Sequence, residues 1–146
     1  MFNISLDYPS FEEELNIVKN TTGASLAKAN SVINAQEIIY FQNLVRRIPI
    51  ADNVLEYCVK LSSKTRPGRS EVPKIVNEYL SWGAGPRASQ YLALGAKCHA
   101  AVKGKFSPDI EDVKAVAANI LRHRIVRNYK AEAEGYSVEN IINELL

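Results

Sequence analysis

One pattern recurs along this chain of 146 residues: a residue that can cap a helix, then apolar residues at helical spacing, then a Gly or Pro that ends them. Ser10 with Glu13 forms a capping-box pattern, and Asn34 and Ser137 are good helix N-caps. Apolar residues between 38 and 48 are spaced 3, 4 and 3 apart, as on one face of a helix. Six or seven short helices in succession predict an all-α fold, a small helical bundle.

The longest of these helices follows Gly83-Ala84-Gly85-Pro86 and is predicted to run to about residue 102. Proline suits the first position of a helix, since its missing N–H has no partner there. Gly95 in the middle of the helix would let a second helix approach closely, at some cost in helix propensity. The predicted inner face consists of Ala88, Tyr91, Gly95, Cys98 and Val102.

One segment at the front of the chain has a different period. Phe2, Ile4 and Leu6 alternate with polar residues, which predicts a short N-terminal strand over residues 3–7. A single strand has no partner in this chain, so the alternation indicates a neighbouring sheet elsewhere or an unusual packing here.

Composition places the chain among ordinary globular domains and excludes several classes. Apolar residues make up 47% and charged residues 23%, with a net charge of +2, and 146 residues suit a single domain. The balanced charge gives no reason to expect a nucleic-acid partner. With no apolar run of membrane-spanning length and no secretory signal, we expect no membrane span and a cytoplasmic location.

The cysteines and histidines give no sign of a metal site. Cys58, Cys98, His99 and His123 show no ligand spacing, so we expect no bound metal. Both cysteines lie among apolar neighbours in helical patterns, which predicts two small buried hydrophobic residues, with one disulfide as the alternative.

Arg87 is the candidate functional residue that local physics singles out. It lies in the first turn of the helix that Pro86 begins, where the helix dipole disfavours a cation by about 0.3–1 kcal/mol. An anion such as phosphate would account for the position, because the helix N-terminus and the guanidinium would both face it. The alternative is an exposed Arg whose stem lies over Trp82 or Tyr91. The local physics leaves these two interpretations about even.

No complete active site accompanies Arg87. The chain contains no G-x-x-x-x-G-K-[ST] phosphate loop and no G-x-S-x-G motif. The consecutive residues Glu12, Glu13 and Glu14 point around a helix and fit an acidic first turn. For the basic cluster of Arg122, His123 and Arg124, followed by Arg127, we favour side chains that complement a helix C-terminus.

Four segments, in order along the chain, resemble the C-terminal part of a MoxR-type AAA+ ATPase. The first is Leu6-Asp7-Tyr8-Pro9-Ser10 with the acidic run after it, and the second is Arg66-Pro67 followed by Gly83-Ala84-Gly85-Pro86-Arg87-Ala88. That second segment is similar to the family's sensor-2 motif, usually G-A-S-P-R-A, with Gly85 in place of Ser. The others are Asp112-Val113-Lys114-Ala115-Val116 and Leu121-Arg122-His123-Arg124-Ile125.

The resemblance implies functions for particular residues. Arg87 would be the sensor-2 arginine that reaches from the lid to the γ-phosphate of ATP, with Gly85 and Pro86 beside the nucleotide. Tyr8 and Pro9 match the hinge between core and lid, where such proteins often hold the adenine. Residues 1–8 would be the remnant of the last core strand, and residues 9–146 the helical lid domain.

The resemblance also implies what this chain needs from elsewhere. The family's Walker A, Walker B and other core motifs precede the matching segments, and the Mg²⁺ that accompanies ATP would be bound by that absent core. We therefore expect a fragment-like chain that does not hydrolyse ATP alone. Its partners would be the core domain of the same protein, ATP, other subunits of a homo-oligomeric ring and an unknown protein that the chaperone-like ATPase remodels. The alternative is a free-standing helical protein-interaction module without nucleotide chemistry.

Overall fold

The computed structural model of the chain describes residues 2–24 and 29–146. In these ranges nearly all of the regular secondary structure is helical, which confirms the all-α prediction. The described residues form eight helices and two very short strands, in the order α1 (Phe11–Thr21), α2 (Ala35–Arg47), α3 (Asp52–Lys64), α4 (Lys74–Tyr79), β1 (Leu80–Trp82), α5 (Pro86–Val102), α6 (Ile110–Leu121), β2 (Val126–Arg127), α7 (Tyr129–Ala133) and α8 (Val138–Leu145).

Local capping sets most of the helix starts. The side chains of Ser10 and Asn34 each accept a hydrogen bond from the backbone three residues later, and Glu13 and Glu37 complete the two capping boxes. Ser137 caps α8 in the same position. These predicted caps are confirmed.

Helix α5 lies at the centre of the core, packed mainly on α6 and α3. Gly95 lies where α5 packs closely on α6: a Cβ built there would lie 3.1 Å from Ile120 Cδ1, 3.1 Å from Phe2 Cζ and 3.2 Å from Val116 Cγ2. The predicted close approach at Gly95 is thus confirmed. The fully buried side chains of α5 are Ala88, Leu92, Ala96 and Ala100.

Part of the predicted inner face of α5 is wrong. Cys98 and Val102 are exposed, and Val102 keeps 80% of its surface accessible. The buried face instead follows i, i+4 spacing from Ala88, and three of its four members are alanines. Because the small alanine side chain is common on exposed and buried faces alike, it marked neither face in the sequence. Cys58 is buried as predicted, and both cysteines are free, so the disulfide alternative is also wrong.

The N-terminal strand is a second correction. Within the described part of the predicted remnant, residues 2–8, the backbone forms neither strand nor helix. A strand needs a ladder of hydrogen bonds to a neighbour, and only one backbone hydrogen bond, Asn3 N–H to Asn119 O at 2.7 Å, joins this segment to another element. The small sheet that does form, the antiparallel pair β1 and β2, was not predicted.

A buried carboxylate joins the end of α5 to the start of α6. Asp112 is 1% exposed and accepts hydrogen bonds from His99 Nδ1 at 2.7 Å, Lys105 Nζ at 3.0 Å and the Asp109 backbone N–H at 2.9 Å. Burial acts to raise the pKa of Asp112, but these three donors outweigh it and lower the pKa to about 2.

We expect Asp112→Asn to destabilise the fold at neutral pH by about 2 kcal/mol, since a pKa shift of one unit corresponds to about 1.4 kcal/mol. A carboxyl whose pKa is lowered by folding stabilises the protein above its unfolded pKa, near 3.8, and that contribution is lost as the pH falls towards 2. Urea unfolding should therefore show a gap between wild type and variant that closes between pH 5 and pH 2. Glu132→Gln, a change at an exposed carboxylate with no ion pair in the described residues, is the matched control and should show no such gap. A gap that stays constant down to pH 2 would contradict the assignment.

Candidate functional site

The start of α5 presents an open helix N-terminus. Gly85 is the N-cap, with φ −81° and ψ −179°, and Pro86 is the first helical residue, as predicted. Glycine has no side chain to cap the first turn, and within residues 2–24 and 29–146 the backbone N–H of Arg87 has no hydrogen-bond partner. Such a terminus attracts an anion.

The turn before α5 is held against the C-terminal end of α3. The Ala84 backbone N–H donates to Thr65 Oγ1 at 2.8 Å, and Thr65 Oγ1 in turn donates to Ser62 O at 2.7 Å. Ser62 and Thr65 are completely buried. Arg66 Nε donates to the Ala84 carbonyl oxygen at 2.8 Å, so both polar backbone groups of Ala84 are engaged.

Gly83 permits this contact. A Cβ built at Gly83 would lie 2.3 Å from Thr65 O and 2.6 Å from Arg66 Cα, so any side chain would require the backbone to move. Next to it, Ala84 is 1% exposed and Ala88 fully buried. The turn is therefore rigidly placed, and with it the residue that follows Pro86.

Arg87 itself points away from the packed core. It is exposed, and in the described part of the chain it makes no hydrogen bond, ion pair or cation–π contact. The cation that lies over the Tyr91 ring belongs to Arg124, with Cζ 5.3 Å from the ring centroid, and Trp82 is 73% exposed. The Arg87 guanidinium is thus exposed and unpaired among the described residues.

The other predicted nucleotide contacts lie at different places. Gly85 and Pro86 directly precede Arg87 and are exposed. Tyr8 is 95% exposed just before α1, and its backbone N–H donates to Asp7 Oδ1 at 2.8 Å. Pro9 follows it and is exposed too. No hydrogen bond in the described residues joins Tyr8 or Pro9 to the start of α5.

The basic cluster after α6 is largely structural. The Arg124 guanidinium donates to the Ile120 carbonyl oxygen in the last turn of α6, as a side chain that complements a helix C-terminus would. Arg122 donates from Nε to Glu139 Oε1 and from Nη1 to Asn3 O, both at 3.1 Å, and so ties α8 and the N-terminal segment to α6. Partial desolvation of the His123 ring and the neighbouring Arg124 charge both lower the pKa of His123.

Two negative findings hold for residues 2–24 and 29–146. Nowhere in these ranges do three His, Cys, Asp or Glu side chains gather as a metal-binding group. None of the helices in them combines the length and the apolarity needed to cross a bilayer.

Sequence reasoning found Arg87 but not the residues that position it. Ser62 and Thr65 lie near the end of a predicted helix as ordinary small polar residues. Their hydrogen-bond partners in the turn before α5, Gly85 and Ala84, are 19 or more residues away in the sequence. The one signal available was Arg66-Pro67, which the resemblance included without a role.

Comparison with known proteins places these features in a wider group. The sequence model of the AAA lid domain family matches residues 72–145, from before α4 to the end of α8. The whole chain is 30% identical to "Chaperone MoxR1" of Mycobacterium tuberculosis and 26% identical to the uncharacterized protein YeaC of Bacillus subtilis. It spans 38% and 43% of the length of these two relatives.

A solved structure shows the same arrangement. The crystal structure of a "putative ATPase" from Cytophaga hutchinsonii superposes with a TM-score of 0.86 and 29% sequence identity. The match covers 99% of this chain and 44% of that one.

Two neighbouring glycines allow a matched test of the turn. We expect Gly85→Ser to raise the free energy of unfolding by about 1 kcal/mol, because nothing lies within 4 Å of its Cβ position and Ser is a good N-cap. Gly83→Ser should lower it by about 2 kcal/mol or more, since its Cβ meets the Thr65 carbonyl. Thermal unfolding should show a melting temperature about 2–4 °C higher for the first variant and several degrees lower for the second. Equal shifts in the two variants would contradict this description of the turn.

Proposed function

This chain belongs to the AAA lid domain family, in the MoxR-like group of AAA+ ATPases, and on that premise we propose that it supplies Arg87 as the sensor-2 residue of an ATP site shared with a core domain. The observation that carries the proposal is an exposed arginine, free of partners in the described residues, at the uncapped N-terminus of a helix that α3 holds in place. The hydrogen bonds from Ala84 to Thr65 and from Arg66 to Ala84 fix the position at which Arg87 is presented.

The chemistry proposed for Arg87 is electrostatic. A guanidinium can donate two parallel hydrogen bonds to phosphate oxygens, and it offsets charge that spreads over the γ-phosphoryl group during transfer. Once the γ-phosphate leaves, its contacts with Arg87 are lost and the lid is free to rotate. Arg87 would thereby report the state of the nucleotide to the rest of the lid.

ATP and its Mg²⁺ would be held mainly by the core domain. This chain contains no phosphate loop of its own, and Arg87 with the first turn of α5 would meet only the terminal phosphate. Tyr8 and Pro9, at the entrance to α1, are the proposed hinge beside the adenine. We propose that the chain alone does not hydrolyse ATP.

The exposed apolar faces of α1 and α2 support a large partner. Neither helix has a buried residue, and Phe11, Ile39 and Phe41 keep 81%, 56% and 49% of their surface accessible. Large contiguous apolar patches on the surface of a globular protein mark interaction sites. A core domain of the same protein would cover them.

The function of the whole ATPase is proposed from its relative. The name "Chaperone MoxR1" supports remodelling of a protein substrate, with the lid coupling nucleotide state to that work. We propose assembly into a homo-oligomeric ring in the cytoplasm, as the AAA+ family suggests.

A second candidate is a helical protein-interaction module without nucleotide chemistry. The uncovered faces of α1 and α2 favour it equally well. The two candidates differ in what Arg87 does, which the next two experiments measure.

Calorimetry should find that the isolated chain binds Mg-ATP only weakly. Without a phosphate loop, we expect a dissociation constant in the millimolar range, about −4 kcal/mol of binding free energy. Binding at low micromolar concentrations would contradict a site shared with a core domain.

Arg87→Ala in the complete ATPase should reduce kcat for ATP hydrolysis by about 10²-fold, the usual loss when one preorganised donor to the transition state is removed. The affinity for ADP should change little, because Arg87 would contact only the γ-phosphate. Arg47→Ala, an exposed arginine at the end of α2, is the control. Unchanged hydrolysis in Arg87→Ala would refute the sensor-2 assignment and favour the interaction module.

A further inference from the structure

The segment that precedes the proposed hinge is attached to the end of α6. Asn3 uses both of its backbone groups: its N–H donates to Asn119 O at 2.7 Å, and its carbonyl oxygen accepts from Arg122 Nη1 at 3.1 Å. Asn119 lies in the last turn of α6, where the final carbonyl groups of a helix have no partner within the helix. The Asn3 N–H therefore satisfies one of these carbonyls.

A notch above Gly95 holds the neighbouring aromatic ring. Phe2 Cζ, Val116 Cγ2 and Ile120 Cδ1 lie 3.1, 3.2 and 3.1 Å from the position that a Cβ at residue 95 would occupy. A side chain at this position would press on the ring. Phe2 is 47% exposed, so about half of its surface is covered where the ring meets α5 and α6.

Arg122 connects this attachment to the rest of the bundle. Its side chain is 18% exposed, and besides the Asn3 carbonyl it contacts Glu139 Oε1 on α8, with 3.1 Å between Nε and the oxygen. A guanidinium carries its five donors in a rigid plane, so it holds both partners in a fixed geometry. The residues that make these contacts are here called the latch: Phe2, Asn3, Gly95, Asn119 and Arg122.

The latch bypasses the proposed hinge at Tyr8 and Pro9. Residues 2 and 3 precede the hinge in the sequence, whereas α5 and α6, which hold them, follow it. A lid that rotates about the hinge would pull these contacts apart, so the latch can be closed in only one lid position. Between the latch and the hinge, Ile4 and Leu6 keep 74% and 89% of their surface accessible.

The opposite edge of the segment stays available to a core sheet. In an extended strand, the N–H and C=O of one residue point to the same edge, and those of the next residue point to the other. With Asn3 facing the lid, the backbone groups of Phe2 and Ile4 would face away from it. Attachment to the lid is therefore compatible with the proposal that residues 1–8 end the core sheet.

We propose that Phe2 and Arg122 are positioning residues for Arg87, and that the closed latch is the lid position in which Arg87 meets the γ-phosphate. This inference rests on the proposed sensor-2 function. Gly95 lies on the same helix as Arg87, about 12 Å further along at 1.5 Å per residue, so the contact with Phe2 fixes α5 relative to the segment before the hinge. A donor stabilises a transition state best when it is held in place beforehand.

Hydrogen exchange of the 146-residue chain, followed by NMR, measures the latch itself. The Asn3 amide should have a protection factor about tenfold or more above that of the Ile4 amide, because only Asn3 donates to the lid. Phe2→Ala and Arg122→Gln should each remove most of this difference, since each variant takes away one side of the attachment.

Matched variants separate the latch from general loss of structure. Phe2→Tyr keeps the ring and should retain the protection of the Asn3 amide. Phe106→Ala changes a phenylalanine that is 93% exposed, and Arg47→Gln changes an exposed arginine, so both should behave as wild type. The amide of Leu92, in the buried centre of α5, should keep its protection in every variant, which shows that all of them are folded.

Hydrolysis by the complete ATPase tests the effect on Arg87. Phe2→Ala and Arg122→Gln should each lower kcat about tenfold with less than about a twofold change in KM, because the core domain holds most of the nucleotide. Phe2→Tyr and Phe106→Ala should keep the wild-type kcat. In an Arg87→Ala background the two latch variants should lower kcat no further, since the latch acts through Arg87 alone.

Three results would overturn the inference and leave the sensor-2 proposal standing. They are an Asn3 amide no better protected than that of Ile4, latch variants with wild-type kcat, and a full further loss when Phe2→Ala is combined with Arg87→Ala. Unchanged hydrolysis in Arg87→Ala alone would refute the sensor-2 proposal and this inference together.

Discussion

The burial of α5 between α3 and α6 is the constraint on which the rest of the structure depends. One side of the helix is wholly excluded from solvent over more than three turns, from Ala88 to Ala100. Small side chains on this side, together with Gly95, let the side chains of Ile120 and Val116 on α6 pack against the helix. Such close packing leaves α5 little freedom to rotate or slide. Because Arg87 precedes Ala88 by one residue, its position relative to the bundle follows from this packing.

The sequence predicted what depends on local chemistry and missed what depends on distant partners. Capping residues act within three positions of themselves, so Ser10, Asn34 and Ser137 could be recognised without a structure. The strand β2 has two residues and is defined by its pairing with β1, 44 or more positions earlier. Conversely, the alternation at residues 2–6 predicted a strand that the structure does not form. Alternation is a pattern of side chains, whereas a strand exists only where a neighbouring backbone completes its hydrogen bonds.

The candidate site was likewise predicted only where it depends on adjacent residues. Arg87 was visible because a cation in the first turn of a helix opposes the dipole, a property of a few adjacent residues. Its support was not visible, since Thr65 and Ala84 meet only after α3 and α5 have packed. A threonine near the end of a helix has many ordinary reasons to be there, and only the contact with Gly83 and Ala84 makes it a positioning residue for Arg87.

Helix α3 borders both the turn before Arg87 and a cleft lined by Lys60, Lys64, Arg66 and Arg69. Its inner side, through Ser62 and Thr65, holds the turn before Arg87, and its outer side borders the basic cleft. Arg66 belongs to both, because it lines the cleft and donates to the Ala84 carbonyl. The Arg66 side chain therefore links the surface of the cleft to the turn that positions Arg87, through one hydrogen bond.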